Sequence, residues 1–194
     1  MRRALAFGVV TVAVLTTSPA SATTRTRVVE PAAAVALARQ CLDQPGESGI
    51  ETCRRALGIG LARDREAMIR QVLAARLAGL KKWEEVVALQ LDAVRLDPRD
   101  PVAHRRLGSA LLYLVGRPAE AAAALRESVR LDPDSPDAHG TLGVALAAMG
   151  QPADAVAAME EAVRLDPEYL DGRPASRQVL EAAQRGQSWP EVPQ

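Results

Sequence analysis

The sequence predicts an all-α chain whose short helical hairpins stack into a solenoid, and three observations lead there. Residues 101–135 (PVAHRRLGSALLYLVGRPAEAAAALRESVRLDPDS) are restated in residues 136–169 (PDAHGTLGVALAAMGQPADAVAAMEEAVRLDPEY), as units of 35 and 34 residues. Self-similarity at such a period marks a stacked array of supersecondary units. Apolar residues fall at helical intervals within a unit: Ala138, Leu142, Leu146 and Met149, then Ala155, Met159, Ala162 and Val163. The chain is 48% hydrophobic yet only 3% aromatic, which suits thin layers of small-residue packing in which each unit touches its neighbours.

The punctuation of each unit follows from the same residues. Asp100-Pro101 and Ser135-Pro136 read as an N-cap followed by proline in the first turn. Gly116 and Gly150 stand where the chain must turn between helices, and the extra residue of the first copy falls near Val115. Asp-Pro pairs at 97–98, 132–133 and 166–167 stop the second helix of each unit. Helices of about a dozen residues are marginal in water alone, so each must bury its stripe on a neighbour. Gly108 and Gly143, at about 1 kcal/mol each inside a helix, are tolerated where a missing side chain lets two helices approach.

In chain order, residues 1–22 have the build of a secretory signal peptide. Met1-Arg2-Arg3 is positive, Ala4 to Leu15 is apolar and too short to span a bilayer, and Ala20 and Ala22 are the small residues before a cut. Cleavage after Ala22 leaves 22 basic against 24 acidic residues, a net charge of −2. No basic face stands out, so a nucleic-acid partner is not expected. No stretch of the mature chain reads as a membrane span. Residues 23–30 read as a flexible start.

Residues 31–63 read as a degenerate hairpin, with one helix from Pro31 to about Asp43 and another from Ser48 to Leu57. Cys41 and Cys53, the only cysteines, lie twelve positions apart on its two arms. In an exported chain an even cysteine count points to a disulfide. Residues 64–100 form a weaker copy, with Asp64 as cap, Leu73-Ala74 in place of Leu-Gly, and Arg-Leu-Asp-Pro closing it. After 136–169, Asp171 and Pro174 start a polar capping helix within 170–186, and 187–194 is a tail.

The order Leu-Gly, Gly, Ala and terminal Pro resembles the tetratricopeptide repeat, a helix–turn–helix unit. The resemblance implies a right-handed α-solenoid whose first helices line a concave groove for a protein or peptide partner. Carried onto this chain, the wall would be Met68, Gln71, Ala75, Ala78 and Gly79, then Val102, Arg105, Ser109, Leu112 and Tyr113. Asp137, Gly140, Val144, Ala147 and Ala148 would complete it. Some members clamp a C-terminal carboxylate with paired Lys and Asn. Here the corresponding positions are Ala75, Ser109 and Val144, so that clamp is absent. Arg105 and Tyr113 are the distinctive groups of the wall, two helical turns apart on one face.

No motif of catalysis occurs: Gly-x-Ser-x-Gly, a phosphate loop and His-Glu-x-x-His are all missing. His104 and His139 are equivalent repeat positions without further ligands at metal spacing, and read as packing residues. The chain is therefore expected to be no enzyme and to need no cofactor or metal. The expected function is a peptide-binding interaction module of a bacterial-type cell envelope, periplasmic or secreted. Alternatives are a permanent structural subunit of an envelope or secretion assembly, or an enzyme accessory protein.

Overall fold

A computed structural model describes residues 32–187, and within them nine helices and no strand occur. Along the chain run α1 (Ala32–Asp43), α2 (Gly46–Ile59), α3 (Arg63–Gly79), α4 (Trp83–Leu96) and α5 (Pro101–Tyr113). They continue with α6 (Pro118–Leu131), α7 (Pro136–Ala148), α8 (Pro152–Leu165) and α9 (Pro174–Gln184). Consecutive helices pack on one another throughout, and α1/α3, α5/α7 and α7/α9 also lie side by side. That is a helical-repeat solenoid. The signal-peptide and tail expectations (1–30 and 188–194) lie outside the described residues, as does Pro31.

The caps form as their residue types dictate. Asp100 Oδ1 accepts the Val102 N–H at 2.9 Å, and Ser135 Oγ accepts the Ala138 N–H at 3.4 Å. Proline opens each helix from α5 to α9. Gly116 and Gly150 take φ of +64° and +71° at the turns, a region open to glycine at no steric cost. The equivalent turn of the weak copy puts Lys81 at φ +56°, so that turn is built without the glycine its sisters use. Three expectations need correction. Helix α2 runs from Gly46 to Ile59, two residues beyond the expected Ser48–Leu57 at each end, and its buried stripe ends at Ala56. Asp64 is not a cap but lies in the first turn of α3, behind Ala62. Asp171 does not start α9, whose N-cap position is Arg173; its carboxylate instead meets Arg177 at 3.1 Å.

Glycine sets how tightly each hairpin closes. A methyl on Gly108 would lie 2.5 Å from Leu125 Cγ, and one on Gly143 would lie 2.5 Å from Met159 Cγ and 3.0 Å from the Ala155 carbonyl. The equivalent pair in the weak copy is Ala74 with Gln90. There α3 and α4 pack far less closely than α5 with α6 or α7 with α8. A cavity of about 590 Å³ opens beside this seam, lined by Leu57, Leu73, Leu77 and Leu89, with the Arg54–Glu85 ion pair among its charged lining. In the first hairpin Cys41 and Cys53 are bonded, and both are fully buried. Loop closure of that length stabilises by roughly 3 kcal/mol in the chain-entropy picture.

Candidate functional site

The first helices of the units, α3, α5 and α7, carry the wall that the resemblance assigned to a ligand. Its outer members are open. Gln71, Ala75 and Gly79 on α3 are exposed, as are Val102 and Tyr113 on α5, and Met68 is 43% exposed. Ala78, Arg105, Ser109, Asp137 and Ala148 are half-buried. Leu112 corrects the sequence reading: it is 0% exposed and belongs to the core. Val144, Gly140 and Ala147 are likewise buried, Gly140 against Tyr169, so much of the α7 part of the wall is covered. Helical periodicity places a residue on a face, but what covers that face comes from elsewhere in the chain.

Between the remaining two helices the wall is interrupted. Whereas the other neighbouring first helices touch, α3 and α5 stand apart, bridged by Arg106 Nη2 donating to Gln71 Oε1 at 3.4 Å. The interruption follows from the seam just described, because α3 packs loosely on the α4 that carries α5. One side of the slot presents Gln71 and Ala75. The other presents Val102, Arg106 and Ser109.

On the opposite flank of α5 lies a cluster that sequence reading found only in part. Arg105 Nη1 is 3.7 Å from Asp137 Oδ2, and Arg173 Nη2 takes the other oxygen at 3.0 Å. Arg173 also donates from Nη1 to the Tyr169 carbonyl at 2.7 Å and lies over that ring, 4.3 Å from its centroid. Tyr169 is 3% exposed, and its hydroxyl end occupies the space that a side chain at Gly140 would fill. In the sequence Tyr169 stands where the preceding unit has its capping Ser135, and Gly140 where that unit has Arg105, but neither exchange names the other as its partner. Tyr113 is 46% exposed as a residue, yet desolvation around its hydroxyl pushes that group up to about 12, with Tyr169 adding to the effect. Burial also raises Tyr169, opposed by the Arg173 and Arg105 cations and supported by Asp137 and Asp166. Both phenols therefore remain protonated donors through the neutral range. Arg105 and Tyr113 are each within electrostatic reach of Tyr169.

The histidines are structural. Nε2 of His104 is 3.0 Å from the Pro98 carbonyl and that of His139 is 2.9 Å from the Pro133 carbonyl. A carbonyl can only accept, so each ring carries its proton on Nε2 and ties its helix to the preceding Asp-Pro turn. Among the described residues no group of three or more His, Cys, Asp or Glu could hold a metal ion. Nor is any helix among them long and apolar enough to cross a membrane.

Stacked hairpins closed by glycine, with a wall of first helices, define a helical-repeat protein of the α-solenoid class. Models of the tetratricopeptide repeat match residues 66–136 and 112–173, so the matches together span 66–173. The chain belongs to the tetratricopeptide repeat family. No curated protein matches it. Among solved structures, MamA residues 41 to the end from Desulfovibrio magneticus RS-1 align with TM-score 0.61 at 20% identity, covering 81% of this chain and 93% of that one. The TPR2B domain of yeast Sti1, in complex with pHsp70, aligns with TM-score 0.54 at 20% identity, covering 62% and 98%. YrrB, described as a TPR protein with an unusual peptide-binding site, aligns with TM-score 0.54 at 19% identity, covering 72% and 66%. At these identities the likeness is one of fold.

Proposed function

We propose that the chain is a protein-interaction module that binds an extended or helical peptide segment on the exposed face of α5. The open face of α5 carries this reading: Val102 and Tyr113 are exposed and Arg105 and Ser109 half-buried, and together they combine apolar contact, a cation and a phenol donor. Aromatic and arginine side chains of this kind are the usual anchors of a binding surface. The peptide complexes among the structural neighbours support the same reading. With Ala75, Ser109 and Val144 at the positions of the carboxylate clamp, the ligand is engaged along its length and not by a terminal carboxylate.

Once a partner is captured with the immobilised protein, the variant carrying Arg105→Ala and Tyr113→Ala is expected to bind at least about tenfold more weakly, near 1.4 kcal/mol. Its melting curve should stay close to wild type, because Asp137 keeps Arg173 and exposed ion pairs contribute about 0–1 kcal/mol. Unchanged affinity would move the site off the concave wall.

The setting we propose is the cell envelope, reached by export and cleavage after Ala22. The small residues Ala20 and Ala22 behind the apolar run support it, as does a disulfide in the first hairpin. The intact mass of the exported protein should correspond to a start at Thr23. A start at Met1 would sink the cleavage.

A further inference from the structure

We propose that Arg76 makes the Cys41–Cys53 bond a reducible clip, with Cys53 as the sulfur that leaves as thiolate. Arg76 belongs to α3 but reaches back into the first hairpin. Its Nη1 lies 3.6 Å from Cys53 Sγ, and its Nη2 donates to the Leu42 carbonyl at 3.3 Å. Gly49 makes the room: a methyl there would overlap both the Arg76 guanidinium and the Gln44 carbonyl. A fixed cation is therefore held against one sulfur of the pair, in a site where both cysteines are fully buried.

A cation beside a sulfur favours its thiolate, and a thiol of lower pKa leaves faster in exchange. In reduction by a low-molecular-weight thiol, the incoming thiolate bonds to Cys41 Sγ. The Cys41–Cys53 bond breaks, and its electron pair stays on Cys53 beside Arg76. A second thiolate then attacks the external sulfur of the mixed disulfide, releasing the small disulfide and the Cys41 thiolate. Two thiols are oxidised to one disulfide, and the protein disulfide is reduced to two thiols. Access comes from the few neighbours of α1. Among the described helices it packs on α2 and α3 alone, and an element with few packed neighbours opens more readily than one packed on several sides. Reduction removes the covalent tie between α1 and α2, so the first hairpin loosens in response to the thiol poise of its surroundings.

The folded protein is equilibrated with defined mixtures of reduced and oxidised glutathione, quenched, and its dithiol fraction measured by alkylation and mass. Arg76→Met should be roughly tenfold harder to reduce than wild type, a shift of about 30 mV, while Arg76→Lys stays within about threefold. The sign separates this role from packing. If Arg76 only braces the hairpin, its loss loosens the hairpin and makes the bond easier to reduce, and that result or an unchanged equilibrium would overturn the proposal. A second measurement needs no variant: after reduction, substoichiometric iodoacetamide at neutral pH should label Cys53 ahead of Cys41. Equal labelling, or a preference for Cys41, would overturn it as well.

Discussion

Replacing Gly143 by leucine is expected to lower the melting temperature by roughly 6–12 °C, from overpacking of about 3 kcal/mol in a chain of this size. The first added carbon already falls 3.0 Å from the Ala155 carbonyl, which is backbone and cannot rotate away, and 2.5 Å from Met159 Cγ. Accommodating the rest of the side chain forces α7 and α8 apart along their tightest contact. Gly58→Ala is the matched control. A methyl there meets nothing within 4 Å, so the exchange should stabilise α2 by about 0.5–1 kcal/mol through the lower entropy of the unfolded chain. Thermal unfolding of the two variants side by side decides the matter. An unchanged curve for Gly143→Leu would mean that α7 and α8 do not meet through that glycine.

Tyr169→Ala is expected to cost about 3 kcal/mol or more, the range for truncating a buried aromatic residue. The ring is 3% exposed, fills the notch at Gly140 and supports Arg173 from below. Its loss uncovers part of α7 and frees Arg173 to keep only its Asp137 contact and the backbone carbonyl. Tyr169→Phe should retain most of the stability. It should also bring the Tyr113 titration down from about 12, because Tyr169 is one of the two causes holding it there. The sign follows from the raised folded value: the contribution of Tyr113 is fully present below pH 10, the ordinary tyrosine value, and is lost as pH rises toward 12. Urea unfolding and alkaline difference absorbance are the readouts. A loss under about 1 kcal/mol for Tyr169→Ala would show that the ring is not a structural plug.

The hairpins, their turns and two of their caps were legible because each is a local choice repeated in the chain. Asp100, Ser135, Gly116 and Gly150 act on atoms within a few residues of themselves. The looseness of α3 on α4 was half legible. Leu73-Ala74 was visible as a departure, but its consequence depends on Gln90 standing where the sister units place Leu125 and Met159. The covered end of the wall was not legible. Gly140 and Tyr169 lie 29 residues apart in the sequence, and nothing in either helical stripe says that one fills the other. Leu112 misled for a related reason: its place on the edge of the wall left open which neighbour it would meet, and the neighbours bury it completely. Arg76 gave no signal, since its partners belong to the previous hairpin and the space it enters is set by Gly49.

An array generated by translation has no internal reason to stop, so its end must be written as a break in the symmetry. Here the break is a single exchange with a longer turn behind it. The serine that caps α7 is answered one unit later by Tyr169, which turns inward and leaves the next helix without its usual start. Pro174 opens α9 seven residues after Pro167, whereas Pro136 opens α7 three residues after Pro133, and the extra residues form a turn that contains Gly172 at φ +73°. Helix α9 lies against α7 as α7 lies against α5. The position that caps the next helix in one unit is used in the following one to fill the notch at Gly140.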